Sequence, residues 1–522
     1  MPKSYTFTLT ISDQGVPSMT MQEVPPPAPP AVVPPPVVLP PVVVVPPTGT
    51  KWLGTNLLEV RDWMTDEPFI DHLKHRRQWT STTPNGGDTD GRTLNLDKDG
   101  NVISLLPGQV AQSYLWTGTR RAGSYFLEYD PTNQATQFTF KGCTAKPVAG
   151  HPKIELTVPE QGAIAVVIAP DANGVPPKLK RLTHKDDTTG SYPTFSPRFV
   201  AKMSKYACLR FMDWQQTNYT RTQAEQARDY DPTDTFSTYA DAASQKPGIS
   251  VPIVTLIELC NVAKTNGWIC VPYGASDSYV KSVLGLIQTK LNAGLKFYVE
   301  HSNEMWNGMF PQHQAAKSAA GGDYNTAMMA HARRSSEIAK MCKDHAPTKT
   351  ISVLGWWVNN VWGTQNFVNM FAQEKLTKPD VLAVAHYIGG GNPDKDTPPD
   401  YGKLPDDPVV FTDGRWDFDV NTFHKLVQDH IQAYGQGQVV AYEGGAHILS
   451  GGQGGAVTSK HPGMEAAYDR MLQSWATKTG NALFCHFSHV GSYSSSGSWG
   501  EKEHFYQAET PKSKAIGKVL GR

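Results

Sequence analysis

Two glutamates, Glu304 and Glu443, stand near the ends of short apolar runs, in YVEHSNEMWN (298–307) and VVAYEGG (439–445). A pair of carboxyls flanking an acetal carbon can cut a glycosidic bond. One protonates the departing oxygen and the other attacks the anomeric carbon, with the two about 5–5.5 Å apart. Further apolar runs also end in polar or aromatic residues. ACLRFMDW (207–214) carries Arg210, Asp213 and Trp214, and Asn303 and Trp306 flank Glu304. VLAVAHY (381–387) ends in His386 and Tyr387, and LFCHFSH (483–489) holds His486 and His489, with Trp499 in the Gly/Ser-rich loop beyond. An arginine beside a carboxyl favours its charged form. Indole and phenol faces suit the C–H faces of sugar rings.

These residues need a scaffold that brings several strand ends to one rim. Eight runs qualify as strands: WLGTNL (52–57), ACLRFMDW, WICVPY (268–273), KFYVEHSN (296–303), ISVLGWW (351–357), VLAVAHY, VVAYEGG and LFCHFSH. Between them lie helix-period segments such as Asp277–Asn292, Asp323–His345, Val420–Tyr434 and Gly463–Gly480. Near-continuous apolar strands alternating with helices predict parallel strands covered by helices. Eight such units predict an α/β fold, a (β/α)₈ TIM barrel, whose reactive groups sit at the C-terminal ends of the strands. That places Arg210 on strand two, Asn303 and Glu304 on strand four, His386 and Tyr387 on strand six and Glu443 on strand seven.

The first interval is too long for one helix. Its middle is rich in Gly, Pro and Thr, with short alternating runs such as SYFLEYD, ATQFTFKG, KIELTVP and AIAVVIAP. That pattern predicts an inserted β-sandwich-like domain over 88–190, which leaves 48–87 and 191–522 for the barrel.

Three of the segments carry a resemblance. YVEHSNEMWN is similar to the Tyr-Val-Glu-Tyr-Ser-Asn-Glu-Val-Trp-Asn segment of bacterial barrel proteins described as cellulose-binding. These in turn resemble the superfamily of retaining glycoside hydrolase barrels with Asn-Glu on strand four and Glu on strand seven. LRFMDWQQTN (209–218) and VVAYEGG match in order and spacing, and the resemblance runs from about Trp52 to Ser488. It implies that Glu304 is the general acid/base and Glu443 the nucleophile. It also implies that Asn303 holds the sugar 2-hydroxyl and that Arg210 hydrogen-bonds the nucleophile and keeps it ionised. Tyr387 or His386 would orient the nucleophile or the sugar. Two departures stand out. His301 occupies an expected Tyr position, with consequences for packing alone, and strand eight lacks a clear terminal Trp, so Trp499 is the nearest candidate for a sugar platform.

Other readings stay open at this stage. The implied activity is hydrolysis of a polysaccharide or oligosaccharide. The alternatives on the same barrel are an inactive carbohydrate-binding adhesin and a structural virion protein. Glu300 shares a strand face with Glu304 and is a rival acid, though its depth suits a buried partner for an arginine. His386 could be a hydrogen-bonded core histidine, and His486 and His489 read as structural. Asp213, Trp214 and Trp306 are candidate cleft residues, and Trp356 and Trp357 are divided between core and cleft wall.

The ends and the composition add context. YTFTLTI, near the N-terminus, alternates as one strand, and 1–23 reads as an attachment peptide that completes a partner's sheet. Twelve of the residues 24–47 are Pro, which predicts an extended polyproline spacer of roughly 75 Å. Such a peptide and spacer would tether the barrel to a larger assembly, for which a phage tail is the candidate. The chain would fold in the cytoplasm and reside in the virion; the alternative location is extracellular. The 522 residues carry 48 Lys+Arg against 48 Asp+Glu, which argues against a general grip on nucleic acid or an anionic membrane. Six scattered cysteines, Cys143, Cys208, Cys260, Cys270, Cys342 and Cys485, read as free thiols of a reducing compartment. The proposed chemistry needs no metal or cofactor. LDKDGN (96–101) begins like a calcium loop, but Gly108 stands where the bidentate Glu belongs, so it reads as a β-turn.

Overall fold

Eight strands close a parallel barrel in chain order: Leu53–Asn56, Cys208–Arg210, Asn266–Val271, Phe297–His301, Thr350–Trp356, Val381–Ile388, Val439–Ala446 and Phe484–His486, the last pairing back onto the first. They are called the first to eighth strands below. The structure is a computed structural model. It describes residues 5–11, 17–23, 51–84, 89–187, 194–219, 226, 229, 237–239, 250–389, 415–447, 454–494 and 497–522. The proline-rich run 24–47 and the expected junction at 191 lie outside the described residues.

The strands are buried on both faces, as their near-continuous apolar sequences require. Alternate residues serve two cores. Cys208, Trp268, Cys270, Tyr298, Val353, Ala383, Val440 and Tyr442 pack inside the barrel. Leu209, Ile269, Val299, Leu354, Leu382, Val384 and Ala441 pack outward against the helices. Each connection carries a helix, for example Ile253–Ala263, Asp277–Lys290, Val361–Gln373 and Arg415–Tyr434, and Pro511–Leu520 follows the eighth strand. The helix Tyr324–His345 shows why these segments fold locally. Asp323 caps it by accepting from Thr326 N at 2.7 Å, and Ala327, Met328, His331, Ala332, Ser335, Ile338, Ala339 and Cys342 form its buried stripe. No helix among the described residues is long and apolar enough to cross a membrane.

Between the first strand and helix Pro197–Met203 the chain builds two four-stranded antiparallel sheets. One runs Thr144–Pro147, Lys153–Val158, Gly123–Tyr129, Leu179–His184. The other runs Thr80–Thr82, Val110–Trp116, Ile164–Ile168, Phe138–Lys141. Inward residues of both sheets, including Leu115, Leu127, Leu156, Val166 and Leu182, share one core, so the insertion is a sandwich. Its strand Thr80–Thr82 lies ahead of the boundary at 88 read from sequence. The buried Asp62 anchors the unit, taking Arg77 Nε at 3.1 Å and Nη2 at 2.8 Å. The Asp97–Asn101 segment is a turn: Asp97 Oδ1 accepts from Asp99 N and Asn101 N, each at 2.9 Å.

The described residues 5–11 and 17–23 belong to a unit of their own. Tyr5–Ile11 pairs antiparallel with Pro17–Glu23, from Tyr5 opposite Glu23 to Ile11 opposite Pro17. The expected single strand is thus one arm of a hairpin. The second arm escaped notice because a Pro opens it, which a strand tolerates at its first residue.

Candidate active site

The site lies where the second, fourth, sixth and seventh strands end. Arg210 is fully buried and organises it. Its Nη1 donates to Glu443 Oε1 at 2.7 Å and to Asn56 Oδ1 at 3.1 Å. Its Nη2 donates to Glu300 Oε2 at 2.9 Å and to Asn303 Oδ1 at 2.7 Å. The guanidinium carbon also sits 4.9 Å from the centroid of the Tyr442 ring. The Tyr387 hydroxyl donates to the second oxygen of Glu443 at 2.7 Å.

Glu304 has different company. Tyr442 OH donates to its Oε1 at 2.9 Å and Asn307 Nδ2 to its Oε2 at 2.8 Å. No cation bonds it directly among the described residues. Burial, then the negative charge of Glu443, push its pKa up from 4.5 to about 7. Burial also raises Glu443, while Arg210 and the Tyr387 hydroxyl pull it back. The sequence reading expected Arg210 to lower this carboxyl outright; desolvation is the larger influence. Asp213 is pushed well up by burial and then by the charges of Glu59 and Glu443.

Local backbone aims these groups. Pairing between the sixth and seventh strands shifts register between Val384, opposite Ala441, and Ala385, opposite Glu443. Tyr442 is the extra residue of a bulge, so neighbours in sequence both reach the site. On the fourth strand Glu300 faces in and His301 faces out. The chain then turns through left-handed conformations at Ser302 (φ 59°) and Glu304 (φ 42°). Non-glycine residues there cost about 1–3 kcal/mol each, and such strain concentrates at functional sites.

Two aromatic groups involve residues of this region. Trp306 stacks on Trp357 at 5.5 Å and 10°, and Trp357 is 37% exposed. Near Glu443, Tyr387 packs on His447 and Phe487, and Trp499 donates to His447 Nδ1 at 3.1 Å.

Of the residues singled out by sequence, Arg210, Asn303, Tyr387 and Glu443 join in one hydrogen-bonded group, Glu304 adjoins it through Tyr442, and Trp499 reaches Tyr387 through His447. Two expected site residues lie elsewhere. Trp214 is 2% exposed and packs among Phe69, Phe199 and Phe211; it is a core residue. His386 faces outward, bonding His424 Nε2 at 3.0 Å and packing on Trp475 and Phe484. Strand alternation sends it away from Tyr387. His486 meets Tyr468 OH at 3.2 Å and His489 meets Asp66 at 3.1 Å, both buried. His301 stacks on His331 outside the barrel, with their Nδ1 atoms 2.9 Å apart. The six cysteines are free.

Asn56, Asn218, Asn307, Tyr442 and His447 were given no role by sequence, while Trp357 was expected to be part core, part cleft wall. Asn218 Oδ1 takes Asn303 Nδ2 and Gln312 Nε2, each at 2.9 Å. Asn56 ends the first strand, and Asn218 and Asn307 lie inside the matched segments, so inspection of every strand end and motif position would have found these three.

No family model matches the chain, and no curated protein matches it. Solved structures do. One is an arabinofuranosidase at 12% identity and TM-score 0.40, over 65% of this chain and 66% of that one. Another is the GH51 arabinofuranosidase from Xanthomonas axonopodis pv. citri, at 11% and 0.36, over 59% and 62%. A third is the CBM22-1–GH10 part of Clostridium thermocellum endo-1,4-beta-D-xylanase 10B complexed with xylohexaose, at 9% and 0.36, over 88% and 98%. The chain spans just under two thirds of the length of the first two.

Proposed function

We propose that this chain is a retaining glycoside hydrolase that cleaves a polysaccharide or oligosaccharide by double displacement. The observation that carries the reading is the contrast between two carboxyls on one rim. Glu443 is ion-paired to Arg210 at 2.7 Å, while Glu304, among the described residues, bonds only to neutral donors and is raised to about 7. Oppositely treated carboxyls are how a site assigns acid and nucleophile.

In the first step Glu443 attacks the anomeric carbon and Glu304 gives its proton to the leaving oxygen. Arg210 and Tyr387 hold Glu443 in one rotamer for the attack. The ester that forms removes the charge of Glu443, and with it part of the force that raised Glu304. The Glu304 carboxylate then takes a proton from water, the water attacks the anomeric carbon, and Glu443 leaves as a free carboxylate. Asn303 keeps one amide hydrogen for a sugar hydroxyl after its bonds to Arg210 and Asn218. The Trp306–Trp357 pair, beside the acid, suits the leaving-group sugar, and the Tyr387–Phe487–Trp499 group suits the sugar under attack.

The N-terminal hairpin and the proline-rich run would tether this enzyme to a larger assembly. A phage tail is our candidate, with a host surface polysaccharide as substrate. The test is reducing-sugar release from a panel of bacterial and plant polysaccharides, with Glu443→Ala as control. Release by the native chain alone supports the reading. Binding without release by either protein would point instead to a carbohydrate-binding barrel.

A further inference from the structure

Glu300 is a carboxyl that the two-step scheme leaves unused, 1% exposed at the inner end of the site. Its Oε2 accepts from Arg210 Nη2 and from Trp268 Nε1, each at 2.9 Å, and lies 3.4 Å from Cys270 Sγ. Its Oε1 has no partner among the described residues. Room for that oxygen comes from Gly355 on the fifth strand, where a Cβ would lie 2.4 Å from it. The four Nη hydrogens of Arg210 are thus divided: one arm serves Glu443 and Asn56, the other Glu300 and Asn303.

We propose that Glu300 is a positioning residue that anchors one arm of Arg210 and sets how strongly the other arm holds Glu443. The proposal rests on the acid–nucleophile reading and deepens it. An arginine devoted to Glu443 would fix its charge but weaken it as a nucleophile, since basicity and nucleophilicity fall together. A second carboxylate on the same guanidinium draws off part of that attraction. Its own charge also repels Glu443 and raises it. The groups facing Glu300 are Arg210 from the second strand, Trp268 and Cys270 from the third, and Tyr442 and Glu443 from the seventh. Among these, Arg210 is the cation.

The test is a titration of the full chain carrying ¹³C at glutamate side-chain carboxyls, with the Glu443 signal assigned by its loss in Glu443→Gln. Glu300→Gln keeps the shape and removes the charge. It should lower the Glu443 midpoint by about one pH unit. Glu300→Asp keeps the charge and should bring the midpoint back towards the native value. Trp268→Phe takes a donor from Glu300, strengthens its claim on Arg210 and should move Glu443 up. A folded Glu300→Gln protein with an unmoved midpoint overturns the proposal. Should that variant not fold, an unmoved midpoint in Trp268→Phe overturns it equally. Neither readout uses a substrate. Inactivity on every polysaccharide would therefore count against the glycosidase reading and leave the result on Glu300 standing.

Discussion

Tyr442 and Glu443 are adjacent in a strand yet act on the same rim, Tyr442 OH on Glu304 at 2.9 Å and Glu443 on Arg210 at 2.7 Å. Regular alternation would have turned one of them outward. The bulge opposite Val384 and Ala385 prevents this, so Glu304 and Glu443 are linked through consecutive residues of one strand.

The two glutamates should fail differently when removed. Glu443→Ala loses activity on every substrate, because no covalent intermediate forms. Glu304→Ala still forms the intermediate from a dinitrophenyl glycoside of the released sugar, whose leaving group needs no proton, and then stalls. Added azide should restore its turnover. Burst kinetics with and without azide check this; equal loss in both variants, with no azide effect on either, would mean the pair is misassigned.

As the proposed acid, Glu304 must begin protonated, and burial and the charge of Glu443 raise its pKa to about 7. kcat/KM should therefore fall as pH rises through about 7, and this limb should vanish in Glu304→Ala on the activated substrate. Because the folded value lies above the ordinary 4.5, the stability from holding this proton is whole below about 4.5 and is lost as pH rises through about 7. Glu304→Gln cannot ionise, so it should melt higher than the native protein at pH 8 and about equally at pH 4. The gain at pH 8 should be roughly 3 kcal/mol, and thermal melts across pH measure it.

Tyr387→Phe removes one hydrogen bond to a charged carboxyl, an interaction worth roughly 1.5–3 kcal/mol. Glu443 then rises, and kcat/KM should drop about 10- to 100-fold with its acid limb moved to higher pH. An unmoved acid limb would show that the hydroxyl does not act on Glu443.

Trp357 and Trp214 give opposite outcomes. Trp357→Ala at the exposed pair should weaken polysaccharide binding and leave the melting temperature unchanged. Trp214→Ala empties a core site and should cost about 3–5 kcal/mol of stability. Affinity electrophoresis and denaturant unfolding on both variants separate cleft from core.

The eight strands were legible in the sequence because each is a short apolar run buried on both faces, and burial of that kind leaves no room for polar interruptions. The candidate pair Glu304 and Glu443 was legible because barrel strands present their C-terminal ends at one rim, and the matched segments fell there. The facing of His386 against Tyr387 was within reach of period-two counting and was missed, and Trp214 looked like a cleft residue because aromatic type carries no direction. What only the tertiary structure decided lies in contacts between distant strands. Arg210 is shared among Asn56, Glu300, Asn303 and Glu443, which sit on three other segments of chain. The bulge at Tyr442 depends on the register of a neighbouring strand. Desolvation of Glu443 outweighs its arginine because the closed barrel excludes water from both. Strand pattern is local and survives in sequence; field, register and burial are sums over the assembled barrel and do not.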